Sequence, residues 1–194
     1  MPDDFQAPSG TEVWLVRHGE TEWSRDRRHT SFSDLPLTEA GEDAARALAP
    51  RLAAERFDRV LVSPMGRARR TAELAGFTDP TVTDDLVEWQ YGDYEGVTND
   101  EIREDVPGWT VWTHPTPGGE RPEDVSARMD RVVADVRATG GKVLVVGHAH
   151  GLRALTARWL GLPVSEGRLF RLDTSTLSVL GYERETAVIL QWNS

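Results

Sequence analysis

Apolar residues along this chain gather into short blocks, and the spacing inside each block separates strands from helices. Val13-Trp14-Leu15-Val16 and Val143-Leu144-Val145-Val146 are apolar runs without alternation, the pattern of strands buried on both faces, and Val60-Leu61-Val62 is a third. Helical spacing appears after Pro36, with Thr38 as N-cap, Glu39 and Glu42 in the first turn, and Ala44, Leu48 and Leu52 on one face. A second helix is predicted from Ser63 as N-cap and Pro64 as first residue to a stop at Gly76. A third runs from Pro122 through Val125, Met129, Val132, Val133 and Val136 to about Gly140, and a fourth through Leu152, Leu155 and Trp159 to Gly161 and Pro163. The final stretch alternates like strands through Leu169, Leu177, Val179 and Val188-Ile189-Leu190.

Two stretches fall outside this rhythm. Glu20 to Asp34 is polar and longer than a simple turn, and loops above ~12–15 residues are usually functional or disordered. Residues 77–121 are rich in Trp and Gly and periodic only around Thr98 to Glu104, which reads as a lid or insertion. Strand–helix alternation over the remainder predicts an α/β fold: a three-layer α/β/α sandwich with a mostly parallel central sheet and a lid-like insertion. One domain over 1–194 is expected, with 1–10 as a polar, flexible tail.

Composition narrows the chemistry. The absence of cysteine among 194 residues removes disulfides, thiolate metal sites and cysteine nucleophiles together. A net charge of −10 works against nucleic acid and anionic membranes as partners. No apolar run approaches the ~20 residues that span a bilayer, and Met1 to Gly10 does not resemble a signal peptide, so the expected location is cytoplasmic.

In open parallel sheets, ligands bind beyond the carboxyl ends of the strands. Arg17 and His18 end the first strand, Ser63 and Arg67 follow the second, and His148 follows the strand 143–146. The helix expected at Pro64 would add free N–H groups to the same edge. Cations collected at one edge of an acidic chain point to a phosphate group, which suits the planar guanidinium fork. Other readings stay open at this level. Either histidine alone is more often structural; Arg67 to Arg70 is an ordinary solvated helix face or a nucleic-acid contact; His148 with His150 suggests a metal, though no carboxylate stands near them in sequence.

Leu15-Val16-Arg17-His18-Gly19-Glu20-Thr21 resembles the signature of the histidine phosphatase (phosphoglycerate mutase-like) superfamily. Four further blocks are similar in the same order: Pro36 to Gly41, Ser63 to Ala72, Glu88 to Gly96, and Val145 to His148. The resemblance implies an enzyme in which His18 takes the phosphoryl group, Arg17, Arg67 and His148 complete the phosphate pocket, and Glu88 is the proton donor. That last role requires a carboxyl that starts protonated. It implies no cofactor and no metal, because arginines supply the charge. Ser24, Thr30, Ser31, Tyr91 and the backbone N–H of Ala149 fall where substrate contacts lie. A non-catalytic phosphoryl-binding module would need neither His18 nor Glu88.

The same pocket serves hydrolases and phosphoglycerate mutases. Where mutases of this family carry Lys, this chain has Asn99, and Val106 to Glu120 contains no Arg or Lys. These departures favour a metal-independent phosphomonoester hydrolase, with mutase-type phosphoryl transfer as the alternative. Trp23-Ser24, Thr30 to Pro36, and Trp109-Thr110-Val111-Trp112 resemble the branch containing acid phosphatases and sedoheptulose-1,7-bisphosphatase. That branch implies a small phosphorylated metabolite, a sugar phosphate above all, as substrate. A second phosphate would need a second basic cluster, and only Arg25, Arg27, Arg28 and His29 are expected to supply one. Trp109 and Trp112 are either a platform for a sugar face or packing within the lid.

Overall fold

A computed structural model describes residues 10–194; residues 1–9, which make up nearly all of the expected tail, lie outside the described residues. The elements in chain order are β1 (Glu12–Arg17), the single turn α1 (Glu22–Arg25), α2 (Glu39–Leu52), β2 (Arg59–Val62), α3 (Gly66–Leu74), β3 (Thr81–Val82), α4 (Asn99–Asp105), α5 (Pro122–Thr139), β4 (Lys142–Gly147), α6 (Ala149–Trp159), β5 (Leu177–Glu183) and β6 (Thr186–Gln191). They form one sheet in the order β3-β2-β4-β1-β5-β6. Its first four strands are parallel; β5 joins β1 antiparallel and turns back into β6.

The apolar runs of β1 and β4 serve both faces of this sheet, as their lack of alternation predicts. Val13 and Leu15 with Val143 and Val145 face α5 and α6, meeting Met129, Val132, Val136, Leu152, Leu155 and Trp159. Val16 with Leu144 and Val146 faces α2 and α3, meeting Leu48, Leu52, Ala68 and Ala72. On α2 the inward residue is Ala45 rather than the expected Ala44, which is exposed; the stripe through Gly41, Ala45, Leu48 and Leu52 follows the 3.6-residue turn more closely. Segment 77–121 sends Leu86, Trp89, Tyr91, Ile102, Trp109, Val111 and Trp112 into the same core as α5 and α6. The two tryptophans of Trp109 to Trp112 are therefore packing residues, not a platform. Leu169, expected on a strand, sits at the end of a 3₁₀ turn (Val164–Leu169) with 59% of its surface exposed.

Helix α3 starts later than predicted. Met65 is its N-cap and Gly66 its first residue; the Gly66 N–H donates to Asp34 Oδ2 at 2.9 Å. The expected open N-terminus at Pro64 is therefore absent, and Ser63 is free for another task. No helix among the described residues is long and apolar enough to cross a membrane.

Gly19 and Gly41 bring the loop after β1 against the first turn of α2. A Cβ on Gly19 would lie 2.5 Å from the Gly41 carbonyl oxygen, and one on Gly41 would collide with the Glu20 backbone. Only glycine permits this approach, which fixes the exit path of the chain from β1.

Candidate active site

Beyond the carboxyl ends of β1 and β4 lies a cleft of about 490 Å³, within the range of about 300–1,000 Å³ that small organic ligands fill. Arg17, His18, Glu88, Tyr91, Ala149 and His150 are among its lining residues. The His18 N–H donates to the Gly147 carbonyl at 2.9 Å, locking the ends of these two strands together. His18 is 5% exposed, and its Nδ1 lies 2.8 Å from the carbonyl oxygen of Gly19. A carbonyl only accepts, so Nδ1 carries the proton and Nε2 keeps its lone pair. Burial, then the positive charges of Arg17 and Arg67, push the His18 pKa well below the usual 6.5. The ring is neutral at physiological pH.

Arg17 donates from Nη1 to the Leu172 carbonyl at 2.7 Å, while its buried Nε has no hydrogen-bond partner among the described residues. Burial lowers its pKa, but a guanidinium stays charged. Arg67 is held from three sides behind the cleft. Nη1 donates to the Ser33 carbonyl at 2.9 Å, Nη2 to that of Ser31 at 2.8 Å, and Nε to His148 Nδ1 at 3.3 Å. Since Arg67 can only donate, His148 Nδ1 accepts, and its Nε2–H donates to Ser63 Oγ at 2.7 Å. Burial and then Arg67 push the His148 pKa well down. Both nitrogens of His148 are thus committed to protein groups, and neither Arg67 nor His148 lines the cleft.

Glu88 is 4% exposed and accepts three backbone N–H bonds: from Gly151 at 2.7 Å and Trp89 at 2.9 Å on Oε1, and from His150 at 3.0 Å on Oε2. Two of these come from the first turn of α6, whose orphan N–H groups suit a carboxylate. The remaining N–H there, that of Ala149, makes no hydrogen bond to a described residue and belongs to the cleft lining. Tyr91 Oη lies 2.6 Å from His150 Nδ1. Burial raises the Tyr91 pKa and lowers that of His150, so the phenol donates and the proton of His150 sits on Nε2.

Of the residues expected at the site, Arg17, His18, Ser24, Thr30, Glu88, Tyr91 and Ala149 line the cleft. The Ser24 hydroxyl is already engaged, accepting from the Thr21 N–H and donating to the Thr21 carbonyl. Ser31 does not line the cleft: its hydroxyl and its N–H both bind Glu95. The expected second basic cluster is also redistributed. Arg25 pairs with Asp26 outside the cleft, whereas Arg27, Arg28 and His29 line it together with Arg153, Arg168 and Arg171, which sequence reasoning missed. Arg153 follows Ala149 and His150 at helical spacing and was readable from that; Arg168, on the short 3₁₀ turn Val164–Leu169, and Arg171, after it, carry no periodic signal. Glu95, within the Glu88 to Gly96 block, was not assigned a task.

His148 and His150 do not pair around a metal, since Ser63, Arg67 and Tyr91 occupy three of their ring nitrogens. Among the described residues no cluster of three His, Asp or Glu suited to a metal ion occurs.

Comparisons with known proteins find related chains over nearly the whole sequence. The profile of the histidine phosphatase superfamily (branch 1) matches residues 13–194. An acid phosphatase of Mycobacterium tuberculosis is 41% identical over 90% of each chain. A probable phosphoglycerate mutase of Photorhabdus laumondii is 34% identical, covering 93% of this chain and 89% of its own. Sedoheptulose 1,7-bisphosphatase of Saccharomyces cerevisiae is 32% identical over 78% of this chain and 68% of its own. A solved structure of an open reading frame from Mycobacterium tuberculosis, 39% identical, superposes with a TM-score of 0.91 over 94% of this chain and 96% of that one.

Proposed function

This chain belongs to the histidine phosphatase superfamily, and we propose that it hydrolyses phosphomonoesters of small metabolites, sugar phosphates foremost, through a phosphohistidine on Nε2 of His18. The observation that carries this reading is the state of His18: a neutral ring, its Nδ1–H fixed on the Gly19 carbonyl, its Nε2 lone pair free beside two guanidinium charges. That is what in-line attack on phosphorus requires.

The steps follow from the groups present. The Nε2 lone pair forms the N–P bond as the ester P–O bond breaks. The proton needed by the departing alkoxide comes from Glu88, which borders the same cleft and is in its acid form when a phosphate dianion, a like charge, sits beside it. The Arg17 guanidinium, which lines the cleft, and the Ala149 N–H, which has no hydrogen-bond partner among the described residues, stabilise the oxygens of the phosphoryl group in flight. Arg67 adds charge from behind, oriented by the Ser31 and Ser33 carbonyls and by His148. Glu88, now a carboxylate, takes a proton from water as its oxygen attacks phosphorus, the N–P bond breaks, and inorganic phosphate leaves.

Water, rather than a second substrate oxygen, is the acceptor on this reading. Asn99 borders the cleft where the mutases carry a lysine, and Val106 to Glu120 brings no cation to it. The test is to quench turnover of glucose 6-phosphate and map the phosphate by mass spectrometry. A phosphoryl group on His18, with His18→Ala slowing release by about 10³-fold or more, is expected. Full turnover by His18→Ala overturns the mechanism, and, with 3-phosphoglycerate as substrate, conversion to 2-phosphoglycerate in place of phosphate release overturns the hydrolytic assignment.

A further inference from the structure

Glu88 stands on a stretch of chain that no helix or strand holds. It lies between two 3₁₀ turns (Asp84–Leu86 and Gly92–Tyr94), and residues 87–90 belong to no regular element. Backbone groups in a buried stretch of this kind need partners from elsewhere. Here one ion pair, Arg128 with Glu120, supplies most of them.

Arg128 interrupts the buried stripe of α5 between Val125 and Met129, and its side chain is 6% exposed. Its Nε donates to Glu120 Oε1 at 2.7 Å and its Nη2 to Oε2 at 2.9 Å, a two-pronged pairing with a carboxylate that is itself 8% exposed. Nη1 donates to the carbonyls of Asp85 at 3.0 Å and Val87 at 2.9 Å, the second being the residue before Glu88. Glu120 holds the other side. Its N–H donates to the Gln90 carbonyl at 2.9 Å, its Oε2 accepts the Gln90 N–H at 3.3 Å, and its carbonyl accepts the Trp89 indole N–H at 3.0 Å. Neither residue of the pair lines the cleft.

A buried ion pair is a poor device for stability, because desolvation offsets much of the attraction and well-packed apolar residues serve as well. Directional bonds are what apolar packing does not supply. A general acid must reach the leaving oxygen at hydrogen-bond distance, and a displacement of ~1 Å can cost about 10²-fold in rate.

We propose that Arg128 and Glu120 are positioning residues for the proton donor: the pair clamps the chain at Val87, Trp89 and Gln90 so that the Glu88 carboxyl meets the departing oxygen. This deepens the proposed reaction and rests on Glu88 as its acid.

A merely structural role depresses turnover of every ester alike, whereas a role through Glu88 matters only where the leaving group needs a proton. p-Nitrophenyl phosphate releases a stable phenolate; glucose 6-phosphate releases an alkoxide that must be protonated. The quantity compared is kcat/KM, which on this mechanism reports the steps up to formation of the N–P bond. Arg128→Lys keeps a counter-charge for Glu120 but lacks the fork, and Glu120→Met with Arg128→Met removes both charges together so that neither is stranded. In each variant kcat/KM for glucose 6-phosphate is expected to fall about 30–100-fold and that for p-nitrophenyl phosphate less than about threefold, and Glu88→Gln is expected to show the same selective loss. Should the double variant fail to fold, Arg128→Lys decides. Equal losses on both esters, or no loss on either, in a variant with the parental circular dichroism overturn the clamp. If Glu88→Gln is selective and the clamp variants are not, the clamp alone falls; if Glu88→Gln itself loses both esters equally, the acid assignment falls and the clamp has no reacting group to position.

Discussion

Replacing Glu95 by alanine should damage the site without touching a residue of the cleft lining. The Glu95 carboxylate accepts the Ser31 N–H at 2.9 Å, the Ser33 N–H at 3.1 Å and the Ser31 hydroxyl at 2.5 Å. The carbonyls of those two serines are the ones that hold the Arg67 guanidinium, so Glu95 sets the position of Arg67 through the loop between them. Hydrogen bonds to a charged acceptor contribute roughly 1.5–3 kcal/mol each, and three are lost. Ser33 and Glu95 are only half-buried, so water replaces part of this, and a net loss of about 3–5 kcal/mol is expected. For a domain of this size that lowers Tm by about 8–15 °C. Below the transition, kcat/KM should fall about tenfold or more as Arg67 loses its fixed orientation. Glu95→Gln keeps an acceptor for both N–H groups and should fall between the two. Calorimetry and steady-state kinetics on the three proteins test the chain of contacts. A Glu95→Ala protein that melts within 2 °C of the parent and turns over at the parental rate would refute it.

Two further outcomes follow from the same geometry. His18, His148 and His150 all have pKa values pushed well below 6.5, chiefly by burial, so between those values and pH 6.5 the unfolded chain binds protons that the folded one refuses. Stability should therefore drop as pH falls below 6.5, by up to about 1.4 kcal/mol per pH unit for each histidine; urea midpoints at pH 7.5 and 5.5 check this, and equal midpoints count against it. Gly19→Ala should cost about 1–3 kcal/mol or more, because its Cβ meets the Gly41 carbonyl 2.5 Å away, and a thermal melt unchanged by the substitution contradicts that contact.

The layered architecture was legible because β1 and β4 are apolar on both faces and the helices carry a clean stripe, for instance Val125, Met129, Val132 and Val136 on α5. Residues at the strand ends were legible for the same reason: once a strand is placed, the next side chain has one place to go. Trp109 and Trp112 were ambiguous, since an aromatic in a Gly-rich stretch carries no period to say which way it faces. The start of α3 was misread because Ser63-Pro64 is a good capping sequence in isolation, and tertiary structure gave Ser63 to His148 and the capping task to Asp34. Arg168 and Arg171 reach the cleft only through the path of an irregular segment, which no local pattern encodes.

The placement of β1 between β4 and β5 has a consequence for biosynthesis. Arg17 binds the Leu172 carbonyl 155 residues further along, and the strand bearing it is flanked on both sides by segments translated late. A nascent chain that has emerged only as far as α4 has no partners for β1 and holds its arginine and histidine in no fixed relation. Ordering β1 waits on loop closures that span most of the polypeptide, the kind of non-local pairing that slows folding. Reactivity toward phosphate esters should thus appear only when translation is nearly finished, and a ribosome-stalled fragment ending before β4 should be inert.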